Sequence, residues 1–129
     1  MGIVAGSPLQ QGALAQRRDE EVESGAPWLS LPRRIQFNAL YGLLDELDMP
    51  IVELALRFVI SNPDISCTLM GARSQAEVEQ NAAYVAKGPL PADVLARIDE
   101  VSAMVPFRPF EEPFGLPFGH SGYRGPGTA

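Results

Sequence analysis

The sequence has very few of the residues from which disulfides and metal sites are built. Its 129 residues include one cysteine, Cys67, and one histidine, His120. A single cysteine forms no internal disulfide, and the ligand clusters typical of metal sites are missing. We therefore expect no metal ion. Because Cys67 lies in an apolar run, we predict a buried, unreactive thiol.

Two further absences narrow the choice of partners. The N-terminus has no basic region followed by an apolar core, and no apolar run reaches the roughly 18 residues of a membrane span. The net charge of −6 argues against a broad nucleic-acid surface. We therefore expect a cytoplasmic protein that binds neither nucleic acid nor membranes. The length and the 46% hydrophobic content suit one domain with a core.

Residues 65–86 have the pattern of a strand, a turn and a helix. The β-branched run 65–70 predicts a buried strand, and residues 75–86 have apolar side chains at helical spacing. The turn between them would leave free N–H groups at the helix N-terminus, beside the guanidinium of Arg73. Ser74 and Glu77 have the spacing of a capping box. The pattern predicts an anion site, although on local grounds an ordinary capped helix with Arg73 as a solvated charge is favoured.

A second strand with a loop after it opens the chain. Residues 2–6 predict a buried strand, and the loop 7–12 contains Pro8 and Gly12. Because α/β folds bind ligands beyond the carboxyl ends of their strands, this loop is a candidate ligand site. A simple turn is the alternative.

Helical periodicity dominates the middle of the chain. Residues 13–30 predict an excursion with one short helix, either a flap over a ligand or a solvated loop. Two helices with core-facing stripes follow, separated by a proline-containing break, and a third such helix comes after residues 65–86 and a further proline-containing break. The stripes are Leu40, Leu43, Leu44 and Leu47, then Ile51, Leu54, Ala55, Phe58 and Val59, and last Val94, Ile98, Val101 and Val105. We predict a domain over 1–105 and an extended tail rich in Pro, Gly and Phe over 106–129.

Two strands are too few for a closed α/β sheet. Parallel strands joined by helices are usually buried on both faces. A two-stranded sheet would leave open edges able to pair with other chains. The element order therefore predicts part of a larger sheet or barrel, or a chain that self-associates through open sheet edges.

Two motifs resemble the C-terminal part of an aldo-keto reductase. The first is Gly-Ile-Val-Ala-Gly-Ser-Pro-Leu over 2–9 with Gly12, similar to the family's seventh strand and its loop. The second runs from Ala55 through Met-Gly-Ala-Arg-Ser at 70–74 to Asn81, similar to the eighth strand and the helices flanking it. The resemblance implies the last two strand-helix units of a (β/α)8 TIM barrel, with a C-terminal helix and the tail.

The family binds NADP(H) at the C-terminal face of its barrel, and the resemblance implies which residues would take part here. Ser7, Leu9 and Gln11 would contact the pyrophosphate and the adjoining ribose. Arg73 and Ser74 would hold the adenosine 2′-phosphate, while Gln80 and Asn81 would bind adenine. The complete implied cofactor set is Ser7, Pro8, Leu9, Gln11, Gly12, Gly71, Ala72, Arg73, Ser74, Glu77, Gln80 and Asn81.

The chain departs from the family pattern at three points. Gln80 replaces a common glutamate but can still bond adenine. Glu77 stands where arginine or glutamine is frequent, and a carboxylate repels a 2′-phosphate, so preference between NADP and NAD stays open. The family's catalytic Asp, Tyr, Lys and His belong to the first half of the barrel, so we assign no catalytic residue and expect no turnover by this chain alone.

Three functions remain open from the sequence. The leading one is a fragment of an enzyme that transfers hydride between a nicotinamide and an aldehyde, ketone or alcohol; a carbonyl substrate would bind only in a complete barrel. The second is a non-catalytic quarter-barrel that pairs with another chain. The third, a phosphate-binding domain like a response regulator, is disfavoured because no clustered acidic residues follow a strand.

Overall fold

Helices form most of the molecule, and a small parallel sheet lies beside them. The computed structural model describes residues 1–27 and 29–106. In chain order the elements are β1 (Ile3–Ala5), a 3-10 turn (Gln10–Gly12), α1 (Asp19–Ser24), α2 (Leu31–Leu47), α3 (Ile51–Ile60), β2 (Ile65–Thr68), α4 (Gln75–Ala86) and α5 (Ala92–Ala103). The fold is α/β, as predicted.

Local signals fix the bounds of the central helices. The Ser30 hydroxyl accepts a hydrogen bond from the N–H of Arg33 at 3.3 Å, and Pro32 lies in the first turn of α2. Asp48 ends α2 in the left-handed conformation, with φ of 47°. Helix α3 then begins directly after Pro50. The predicted break between two helices is therefore confirmed.

The core lies between the helices. Leu44 of α2 and Val22 of α1 are 2% and 1% exposed. The core cluster consists of Val22, Leu29, Tyr41, Leu44, Ile51, Leu54, Leu90 and Val94. The predicted stripe of α2 is confirmed, since Leu43 and Leu44 are buried and Leu40 and Leu47 pack partly buried against the cluster. No residue of either strand belongs to this cluster of described residues.

A buried carboxylate links α3 to the turn after α4. Glu53 is 3% exposed and accepts hydrogen bonds from Lys87 at 2.7 Å and from Arg57 at 2.8 Å. Burial opposes ionisation of Glu53, but the bonds from Lys87 and Arg57 outweigh it and lower its pKa. The Arg57 guanidinium also donates to the carbonyls of Gly88 and Pro89. These contacts hold the end of α4 on α3.

The excursion before α2 contacts that helix around the ring of Tyr41. The hydroxyl of Tyr41 accepts a hydrogen bond from the backbone N–H of Arg18 at 3.0 Å. Arg17 lies over the Tyr41 ring at 4.7 Å and pairs with Asp19 and Asp45. The predicted short helix is confirmed as α1.

The strands differ from the prediction in burial. We predicted two buried strands, but Ile3 and Val4 of β1 are 49% and 59% exposed. In β2, Ser66 and Cys67 are exposed, so the predicted buried thiol is wrong. The strand also ends at Thr68 rather than at residue 70. The reason is that the sheet has two strands only in the described chain, so one edge of each strand lacks a neighbour.

One stripe position is also wrong, because Phe58 of α3 is 42% exposed rather than core-facing. The rest of the predicted tail after Pro106, including His120 and its phenylalanines, lies outside the described residues. Within 1–27 and 29–106, no helix has the length and apolar character needed to cross a membrane.

Candidate functional site

Both predicted site loops begin at the same end of the sheet, where its two strands finish. The strands run parallel, with Val4 opposite Cys67 and Ala5 opposite Thr68. The N–H of Leu69 donates to the carbonyl of Ala5 at 2.8 Å, which extends the pairing one step beyond β2. The register shifts between Ile3 and Val4, but the strands are parallel and their carboxyl ends lie side by side. The loop beginning at Ser7 and the turn beginning at Gly71 therefore both follow the carboxyl ends of their strands.

The loop after β1 has an unusual backbone. Ser7, Gln10 and Gln11 have φ of 54°, 47° and 53°, a left-handed conformation that costs a non-glycine residue about 1–2 kcal/mol. Gly12, with φ of 94°, adopts it without that cost. The N–H of Gln10 donates to the Ser7 carbonyl at 2.9 Å. Strained residues of this kind concentrate at ligand sites, so the loop stays a candidate.

At the start of α4 the predicted helix cap forms, but the Glu77 carboxylate has a different hydrogen-bond partner from the one in a capping box. The Ser74 hydroxyl accepts a hydrogen bond from the N–H of Glu77 at 3.2 Å. The Glu77 carboxylate accepts one from the N–H of Arg73, the residue before the cap, at 2.7 Å. This bond lowers the pKa of Glu77, with help from the Arg73 guanidinium at 3.2 Å. The carboxylate of Glu77 therefore occupies donors that would otherwise be free for an external anion.

The Arg73 side chain nevertheless projects into solvent, since 91% of it is exposed. Water screens an ion pair this exposed, so a more highly charged anion could displace it. We predicted that Glu77 repels a phosphate. In the structure the two would also compete, because both would bind the Arg73 guanidinium.

A hollow of about 610 Å³ lies between α3, α4 and β2. Its lining is mostly apolar and comprises Leu56, Ile60, Ile65, Ser66, Cys67, Thr68, Met70, Val78, Asn81, Ala82, Val85 and Ala86. Of the predicted cofactor residues, only Asn81 lines it, at 6% exposure. The hollow therefore does not join Asn81 to Arg73 or Ser7.

Thr68 could not be singled out from the sequence. Its hydroxyl is buried and has no hydrogen-bond partner among the described residues. Threonine is an ordinary strand residue, and nothing in its neighbours along the chain signals an unpaired hydroxyl. Its position in the hollow became evident only from the way α4 and β2 both pack against α3.

Comparison with known proteins identifies the family. The profile of the Aldo/keto reductase family matches residues 1–103. The chain belongs to this family. It is also similar to L-galactose dehydrogenase of Arabidopsis thaliana, with 29% identity over 85 residues. That match covers 66% of this chain and 25% of the relative, so the chain spans about a quarter of the relative's length. The resemblance found in the two motifs is thus confirmed at the level of the family.

Proposed function

We propose that this aldo-keto reductase chain is the C-terminal part of a (β/α)8 barrel. It would carry the residues that bind the pyrophosphate and adenosine end of NADP(H). The main support is that both candidate loops begin at the same end of the sheet. There the N–H of Leu69 donates to the carbonyl of Ala5 at 2.8 Å. In such barrels, phosphate sites are frequently formed by the loops after the last two strands and a helix N-terminus.

Within this site each segment has a chemical role. The strained loop of Ser7, Leu9 and Gln11 would present polar groups to the pyrophosphate and ribose. Arg73 would pair with the 2′-phosphate after releasing Glu77, because a guanidinium forks onto phosphate oxygens. Asn81 would bond adenine, as its side-chain amide makes no hydrogen bond within the described residues.

The reaction of the complete protein would be hydride transfer between the nicotinamide and a carbonyl or alcohol. The name of the Arabidopsis relative, a dehydrogenase of L-galactose, is in keeping with that chemistry. The acid-base residues of the family belong to the first half of its barrel. Turnover and binding of a small carbonyl substrate would therefore require the complete barrel, which we expect to act in the cytoplasm.

Calorimetric titration of the chain with 2′-phospho-ADP-ribose and with ADP-ribose tests the cofactor assignment. We expect the 2′-phosphorylated ligand to bind more tightly, because only it offers a dianion to Arg73. Arg73→Ala should weaken it by about 10- to 100-fold, the equivalent of one charge-assisted contact, and should leave ADP-ribose within about twofold. Glu77→Gln should tighten 2′-phospho-ADP-ribose, because it removes the competing carboxylate.

Arg97→Ala is the matched control. Arg97 lies on α5 and pairs with Glu46 of α2 at 2.6 Å, so it matches Arg73 in charge and in having a glutamate partner but lies on a different helix. It should change neither affinity. Equal affinity for both ligands, or equal effects of the two arginine variants, would contradict the assignment.

A further inference from the structure

Helix α4 and the turn before it carry much of the candidate cofactor site, yet the apolar stripe of this helix is not covered. The stripe consists of Val78, Ala82 and Val85, and all three residues are exposed. Within the described helix, Asn81 is the one buried residue. A surface helix is normally held in place by burial of its apolar stripe. Other contacts must therefore fix the position of α4.

The contacts that fix α4 lie at its C-terminal end. Lys87, the residue after the helix, donates to the Glu53 carboxylate of α3 at 2.7 Å. Arg57 donates to the same carboxylate at 2.8 Å. It also donates to the carbonyls of Gly88 and Pro89 at 2.9 and 3.1 Å. Because Glu53 is 3% exposed and a buried charge is costly without partners, this group anchors the end of α4 on α3.

The opposite end of α4 has no such anchor in the part of the chain that the structure describes. The backbone N–H and the guanidinium of Arg73 both donate to the Glu77 carboxylate. The Ser74 hydroxyl accepts from the N–H of Glu77. These hydrogen bonds are local to the start of the helix, and residues 71–76 are all exposed. The residues that would meet a 2′-phosphate therefore lie at the end of α4 that is not held on α3.

The length of α4 makes its free end sensitive to its anchored end. The helix has 12 residues and is therefore about 18 Å long. A tilt of about 5° about the anchored end would move the first turn by roughly 1.5 Å. Hydrogen bonds tolerate a spread of only about 0.5 Å between donor and acceptor. A small change at the anchor would thus disturb the contacts of a ligand held at the other end.

We propose that Glu53, together with Lys87 and Arg57, positions the candidate cofactor site by fixing the direction of α4. These groups would act through the helix on Arg73 and Asn81, without touching the cofactor. This inference rests on the proposed function. Loss of the Lys87 charge should therefore weaken every ligand that α4 holds, whereas loss of the Arg73 side chain should weaken only a ligand with a 2′-phosphate.

Lys87→Met tests this proposal, because it keeps the length of the side chain and removes its charge. Lys87 is the only lysine in the chain and its side chain is 54% exposed, so the variant should fold. In calorimetric titrations of the full chain, ADP-ribose and 2′-phospho-ADP-ribose should both bind at least about threefold more weakly. Lys87→Arg retains the cation and should restore both affinities to within about twofold of wild type.

Arg57→Lys provides a second variant that keeps a cation beside Glu53. A lysine ammonium lacks the fork with which Arg57 reaches this carboxylate and the carbonyls of Gly88 and Pro89 together. Both ligands should again bind more weakly. Circular dichroism should give the same helix content for this variant, for Lys87→Met and for wild type.

Hydrogen exchange tests the anchor without any cofactor. In Lys87→Met, the amides of residues 78–86 should exchange at least about tenfold faster than in wild type, because local opening of α4 becomes easier. The amides of α2 should change by less than about twofold. Arg97→Met is the matched control: it removes an ion pair between α5 and α2 and should alter neither the exchange of α4 nor either affinity.

The proposal is overturned if Lys87→Met binds both ligands as tightly as wild type does, or if its α4 exchanges no faster. Equal effects of Lys87→Met and Arg97→Met on affinity would overturn it as well. A wild-type chain that binds neither ligand would contradict the proposed function, and this inference with it. Because exchange is measured without ligand, that outcome remains distinct from a failure of the anchor itself.

Discussion

The helical layer and the sheet of this protein differ in how completely each is packed. In the helical layer, Leu44 and Val22 are 2% and 1% exposed. In the sheet, Ile3 and Val4 are 49% and 59% exposed although they are equally apolar. Within the described residues, most helices bury their apolar faces against one another, whereas the two strands remain largely exposed.

The physical reason lies in where each element makes its hydrogen bonds. A helix satisfies its backbone internally, so it needs only an apolar surface to pack against. A strand needs a neighbour on each edge and a layer on each face. An α/β chain can therefore have well-packed helices while its sheet remains incomplete.

The largest expected effect comes from comparing one substitution in the helical layer with one beside the sheet. Leu44→Ala should lower the free energy of unfolding by about 4 kcal/mol, because it opens a cavity in the core. Leu69→Ala removes the same atoms from a side chain that is 62% exposed, just beyond β2, and should cost less than about 0.5 kcal/mol. Urea denaturation measures both, and similar costs would mean that the sheet is packed as tightly as the helices.

A smaller effect is expected at the ion pairs that hold α4 on α3. Glu53→Gln should cost about 3 kcal/mol at neutral pH, because Arg57 and Lys87 lose a buried charge partner. Glu46→Gln is the control: its pair with Arg97 is 61% and 43% exposed on the two sides, so its loss should cost below about 1 kcal/mol.

The effect of Glu53→Gln has a defined dependence on pH. The folded-state pKa of Glu53 is lowered, so its stabilisation is complete above the pKa of an unfolded glutamate, about 4.3. It is lost as the pH falls through the lower folded-state value. The difference between wild type and Glu53→Gln should therefore shrink on acidification, as measured by urea denaturation. A difference that grew in acid would contradict the assigned ionisation.

The smallest effect is expected at the start of α4, where the candidate site meets the helical layer. Ser74→Ala removes the hydroxyl that accepts the Glu77 N–H and should cost about 1 kcal/mol. Ser102→Ala, at an exposed position within α5, should be near neutral or slightly stabilising. Thermal unfolding followed by circular dichroism would measure both. Equal shifts would mean that the cap adds nothing to α4.

Sequence patterns predicted the helix bounds where these depend on residues close together in the chain. The bounds of α4 follow from the Ser74 cap, and those of α2 and α3 from Ser30, Asp48 and Pro50. The turn chemistry at these sites acts within a few residues, so the sequence contains the whole signal. The exposure of Phe58 was not predictable in this way, because it depends on which neighbour is present beside α3.

The candidate site likewise has features that the sequence predicts and features that only the structure shows. That Ser7 and Gly71 follow two strands could be inferred from the sequence. The pairing of Arg73 with Glu77 needed coordinates, since the capping-box pattern directs that carboxylate to the cap residue rather than the one before it. The roles of these residues toward a cofactor remain predictions.

By itself the sequence determined the family, the order of the elements and the ends of the helices, because motifs and caps depend on residues close together in the chain. Only the tertiary structure decided that both strands are largely exposed, that Cys67 is accessible and that the Thr68 hydroxyl has no partner in the part of the chain that the structure describes. Burial depends on elements distant in sequence, and an apolar run looks the same whether or not a neighbouring strand covers it.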